Sequence, residues 1–104
     1  MEITSEELKQ KIKNGDKLII DFYGKWCGPC KVMKPMFEDV SKELENSNSN
    51  IKLFTFDIDT DKEFVVELGI RSVPTIKGFN NGNERFSEVG LKQRDVIMEM
   101  TSRL

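Results

Sequence analysis

The only two cysteines of the chain stand two residues apart, in the run WCGPCK at positions 26–31. A pair at that spacing can hold half of a metal site, lock a short loop, or exchange electrons with other disulfides. Structural zinc normally takes four sulfur or nitrogen ligands. This chain has two cysteines and no histidine, so only a site shared between two chains would serve. A purely structural bridge across so short a loop removes little entropy from the unfolded chain. Thiol-disulfide exchange is favoured by geometry: a helix that begins just after Cys27 aims unpaired N–H groups and the positive end of its dipole at that sulfur. About 2 kcal/mol of such stabilisation raises the thiolate fraction at pH 7 from a few per cent to about half. Cys27 then reads as the nucleophile and Cys30, one turn further on an inner face, as the resolving thiol. Lys25, Lys31 and Lys34 add positive potential nearby.

The absence of histidine removes Ser-His and Cys-His nucleophile pairs. Any base that serves the thiols must be a carboxylate, a lysine, water or another thiol. Asp21 is the aspartate to weigh, because it interrupts KLIIDFY at 17–23. That run has little alternation and suits a strand covered on both faces, where a carboxylate would be desolvated and its pKa raised.

The elements that must position these groups follow from periodicity. Thr4 and Glu7 fit a capping box ahead of a thin stripe at Leu8 and Ile12, with a stop at Asn14-Gly15. Met33, Phe37, Val40 and Leu44 recur at helical spacing, so 28–45 reads as one helix with Cys30 on its buried stripe and a kink at Pro35. The polar run 46–50 is a loop. A second inner strand is expected over 51–59 and a short helix over 62–69, ended by Gly69. Residues 75–79 and 84–89 flank Asn80-Asn81-Gly82-Asn83 as a hairpin. Val96, Ile97, Met100 and Leu104 mark one side of a last amphipathic helix. Strands alternating with helices predict an α/β fold built on βαβ units.

Composition narrows the function classes. A chain of 104 residues is expected to form one domain, 1–104, and needs no staple to fold. No apolar run approaches the ~20 residues of a membrane span. Sixteen basic against eighteen acidic residues leave a charge of −2, with no basic stripe interleaved with aromatics, so direct nucleic-acid and membrane binding are not expected. The N-terminal run lacks a signal-peptide core, which leads to the expectation of a cytoplasmic protein.

Taken in order, Asp21-Phe22, Trp26 to Lys31, Pro35, Asp59, Val73-Pro74-Thr75, Phe79, Gly82 and Gly90 resemble the thioredoxin family over nearly the whole chain. A lone Cys-x-x-Cys is a weak signal, but WCGPCK followed about forty residues later by VPT is specific. The resemblance implies the thioredoxin fold, a central mixed sheet of four to five strands flanked by about four helices. It implies a monomer that reduces oxidised protein substrates and is itself re-reduced by a thioredoxin reductase, with the Cys27-Cys30 dithiol as carrier and no bound cofactor or metal. Asp21 would help to deprotonate Cys30. Pro74 would be cis, with the backbone of Val73 pairing to substrate, and Trp26, Gly28, Pro29, Val73, Pro74, Val89, Gly90 and Leu91 would form the docking surface around an exposed Cys27 sulfur.

Several positions depart from the family pattern. Thr55 stands where a lysine is frequent beside the buried aspartate, Tyr23 where a second tryptophan is frequent, and Leu91 where a small residue is common. Lys77-Gly78 interrupts a usually apolar strand and is expected to weaken its packing. The first edge strand is expected to shrink to a few residues around Ile3 or to vanish. The competing function is a binding subunit that uses the same apolar patch independently of redox state. An oxidase or isomerase of the secretory type is disfavoured by Gly28-Pro29 between the cysteines.

Overall fold

The computed structural model describes all 104 residues. In chain order the elements are α1 (Ser5–Lys13), β1 (Leu18–Tyr23), α2 (Gly28–Asn46), β2 (Lys52–Asp57), α3 (Lys62–Glu67), β3 (Thr75–Asn80), β4 (Asn83–Val89) and α4 (Arg94–Glu99), followed by a 3₁₀ turn over Met100–Arg103. The strands form one mixed sheet in the order β2-β1-β3-β4. β1 runs parallel to β2 and antiparallel to β3, and β3 runs antiparallel to β4.

Helices cover both faces of this sheet, as the unalternating β1 sequence requires. On one face Leu18, Ile20, Phe22 and Phe56 pack with Leu8 of α1 and Phe64 and Val65 of α3. On the other, Ile19, Leu53, Ile76 and Phe86 pack with Met33, Phe37, Val40 and Leu44 of α2 and Ile97 of α4. Period-2 alternation then assigns Asp21, Thr55 and Asp57 to the α2 face.

Local chemistry sets the ends. The Thr4–Glu7 capping box is fully formed. Asn81 and Gly82 both take positive φ, 55° and 82°, as a two-residue turn of the primed type needs between twisted strands. The first edge strand is reduced to one parallel bridge, Glu2 to Thr55.

Two expectations need correction. Val96 is 39% exposed, off the buried side that Ile97 and Met100 define. Neighbouring helical positions diverge by about 100°, and the tighter 3₁₀ turn shifts the phase further. Lys77-Gly78 leaves no packing defect. The ring of Phe86 lies directly over Gly78, in the volume a Cβ would occupy. Lys77 is buried, and its ammonium donates to Glu84 Oε1 at 2.8 Å and to Ser87 Oγ at 3.2 Å.

Candidate active site

Cys27 closes the turn after β1 and caps α2. Its extended backbone (φ −91°, ψ 114°) makes it the N-cap residue, and its sulfur accepts the Cys30 N–H at 3.2 Å. Pro29 lies in the first turn, where its missing N–H costs nothing. Cys27 and Cys30 are joined as a disulfide, with Cα atoms 5.3 Å apart. The helix therefore presents the unpaired donors of its first turn to the sulfur of Cys27, an arrangement that favours a thiolate once the bond is reduced. Cys27 is nearly as enclosed as Cys30, at 5% against 3% exposure. Cys27, expected to present the more exposed sulfur, is thus a largely buried residue in the disulfide form.

Asp21 lies under the start of α2. It is 1% exposed, and one of its oxygens, Oδ1, has no hydrogen-bond partner. Burial, with a smaller contribution from the charge of Glu2 and an opposing one from Lys34, raises its pKa to about 7. A cavity of about 230 Å³ links this carboxyl to Cys30, with Tyr23, Gly24, Lys25, Lys31, Lys34 and Thr55 completing its walls. A carboxyl that titrates near neutrality and shares a cavity with a thiol can exchange a proton with it.

The cis peptide bond expected at Val73-Pro74 is present. Thr75 pairs with Phe22, which puts Val73-Pro74 at the end of the sheet where β1 runs into the cysteine turn. Gly90 N–H donates to the Pro74 carbonyl at 2.9 Å, bringing the segment after β4 to the same edge. Lys92 N–H donates to Met33 Sδ at 3.4 Å, one turn beyond Cys30. Trp26 and Val89 are exposed at 67% and 58%. Gly28 and Pro29 are also exposed, Val73 and Gly90 are half-buried, and Pro74 is buried. Leu91 is half-buried and rests partly on the α2-side core, so only part of it is available to a partner.

The lysines divide between roles. Lys25 sits 3.5 Å from Asp57, a buried carboxylate on the same face of β2 as Thr55, while Lys31 and Lys34 line the cavity. Two acids that no motif singles out, Asp57 and Glu2, also stand beside the site. Alternation along β2 could have found Asp57, since 55 and 57 share a face. Nothing local marks Glu2, whose carboxylate reaches Tyr23 and Thr55 from 21 and 53 residues away.

The thioredoxin family model matches residues 1–103. A thioredoxin of Rickettsia felis is 34% identical over 98 residues, covering 93% of this chain and 90% of that protein. One from Chlamydia trachomatis is 31% identical, covering 97% and 94%. Among solved structures, Plasmodium falciparum thioredoxin superposes with a TM-score of 0.85 at 26% identity, over 98% of this chain and 97% of that one. Oxidised mitochondrial thioredoxin 3 of Saccharomyces cerevisiae gives 0.81 at 26% identity, over 95% and 89%.

Proposed function

The chain belongs to the thioredoxin family of thiol-disulfide oxidoreductases, and on that footing we propose that it is a protein disulfide reductase, a dithiol electron carrier working toward reduction. The single observation that carries this reading is Cys27 Sγ, at once the cap of α2 and the partner of Cys30. In the cycle, the Cys27 thiolate attacks one sulfur of a substrate disulfide. The substrate bond breaks, one substrate sulfur leaves as a thiolate and takes a proton, and Cys27 holds the other as a mixed disulfide. Cys30 then passes its proton to the Asp21 carboxylate and attacks Cys27 Sγ. The second substrate sulfur departs with the electron pair and is protonated. Two electrons and two protons have reached the substrate, and the Cys27-Cys30 disulfide is returned to the dithiol by a thioredoxin reductase.

The docking surface is the rim of Trp26, Gly28, Pro29, Val73, Pro74, Val89, Gly90 and Leu91, where an extended substrate segment pairs with the Val73 backbone. The dithiol carries the electrons itself, so the chain takes no metal, flavin or nicotinamide. We assign it to the cytoplasm as a monomer of one domain, 1–104; no helix is long and apolar enough to cross a membrane.

Trapping tests the cycle. Cys30→Ser is expected to accumulate a mixed disulfide between Cys27 and an oxidised protein substrate, and Cys27→Ser to form none while losing turnover. Trapping by Cys27→Ser and not by Cys30→Ser would reverse the assignment of nucleophile and resolving thiol, and equal trapping by both would abolish it. The exposure of Trp26 and Val89 also favours a second reading, a redox-independent binding role. A biological function that survives Cys27→Ser combined with Cys30→Ser would replace the reductase reading with that one.

A further inference from the structure

Two side chains, Tyr23 at the end of β1 and Thr55 within β2, hold a carboxylate that the reductase cycle does not call for. Tyr23 Oη donates to both oxygens of Glu2, each at 2.9 Å, and Thr55 Oγ1 donates to Glu2 Oε1 at 2.9 Å. The backbone fixes the same segment: Ile3 N–H donates to the Thr55 carbonyl and Thr55 N–H to the Met1 carbonyl, each at 2.9 Å. Thr55 is the register partner of Asp21 on the neighbouring strand. Glu2 is an exposed residue, yet these contacts pin its charge to Tyr23 and Thr55, two of the walls of the cavity that contains the buried acid.

The other charges around Asp21 come from three directions. From α2, Lys31 and Lys34 line the cavity beside Cys30. At the end of β1, Tyr23 is uncharged, its phenol held protonated by burial and by Glu2, while Lys25 is drawn to Asp57 of β2. From β3 the residue opposite Asp21 is Ile76, which carries no charge. Of these charges, that of Glu2 favours the proton on the Asp21 carboxyl and that of Lys34 its loss.

We propose that Glu2 is a positioning residue for the thiol chemistry: clamped by Tyr23 and by Thr55, the strand partner of Asp21, its carboxylate acts through Asp21 on the proton transfer from Cys30. The consequence for turnover rests on the reductase reading above; the electrostatic claim does not. A base whose proton affinity lies near the working pH is the most effective one. When Cys30 Sγ loses its proton to Asp21 and attacks Cys27 Sγ, the proton must later leave Asp21 for water through the same cavity, under the opposing pull of Lys34.

The decisive experiment follows the Asp21 carboxyl carbon by NMR against pH in the oxidised protein, where neither cysteine titrates and no substrate is present. Glu2→Gln keeps an acceptor oxygen for Tyr23 and Thr55 but removes the charge. It is expected to lower the Asp21 midpoint by about half a pH unit or more at low ionic strength, with a smaller drop when salt screens the exposed charge. Lys34→Gln, at an exposed helix position, is expected to raise it. Tyr23→Phe, which removes one of the two hydroxyls that hold Glu2, is expected to lower the midpoint in the wild type and to have little effect in the Glu2→Gln background. An unmoved midpoint in Glu2→Gln, or a Tyr23→Phe effect of equal size in both backgrounds, overturns the proposal. Either result leaves the reductase reading standing, because that reading is tested by trapping at Cys27.

Discussion

A buried carboxyl with an unpartnered oxygen is a residue kept against the interest of stability. Asp21 has an ordinary pKa of 3.8, raised in the fold to about 7. Between those values the folded protein binds a proton that the unfolded chain has lost, so stability falls as pH rises from about 4 to about 7 and stays low above that. The displacement corresponds to about 4 kcal/mol. We expect Asp21→Asn in the oxidised protein to recover a large part of it at pH 8, read as a higher urea midpoint, and to flatten the acid side of the stability profile. Equal midpoints for wild type and variant at pH 8 would contradict the assigned burial. At this scale the sequence was informative wherever a residue type is rare in its surroundings: an aspartate inside an apolar strand, two cysteines with no histidine. It was uninformative where chemistry depends on long-range closure. Glu2 is one of many N-terminal acids until the chain folds and brings Tyr23 and Thr55 to it.

Element by element, α2 does most of the positioning. Its stripe of Cys30, Met33, Phe37, Val40 and Leu44 is buried against the sheet, and that anchorage fixes the direction in which its first turn points at Cys27. The period of the stripe made the helix and its inward cysteine legible in advance. The β3-β4 hairpin was legible in its turn but not in its packing. Gly78 read as a weakness, whereas the ring of Phe86 from the paired strand fills its place, and strand pairing is not written in either segment alone. Gly78→Ala is therefore expected to force that buried ring aside and to destabilise the protein by about 1–3 kcal/mol. The urea midpoint should fall at unchanged m value, with disulfide reduction intact below the unfolding transition. An alanine variant as stable as wild type would mean that the ring of Phe86 can move freely.

The whole molecule divides into two hydrophobic clusters, one on each face of a four-stranded sheet. The cysteine turn, the Val73-Pro74 segment and the Gly90 crossing meet at one end of that sheet because β1, β3 and β4 are in register there. Strand alternating with helix was enough to expect helices on both faces. The strand order β2-β1-β3-β4 is a tertiary result, since each strand on its own is equally suited to several neighbours. The break of the last helix into α4 and a 3₁₀ turn also lay below what periodicity resolves.

We propose that this scaffold poises the Cys27-Cys30 pair to give electrons away, and the equilibrium reduction potential of that pair against a defined thiol buffer decides it. A reductant is expected at about −270 mV, the figure known for thioredoxins in general and not one that follows from this site. A value near about −180 mV, where protein disulfide isomerase lies, would make the chain a disulfide donor or isomerase and contradict the reductase assignment.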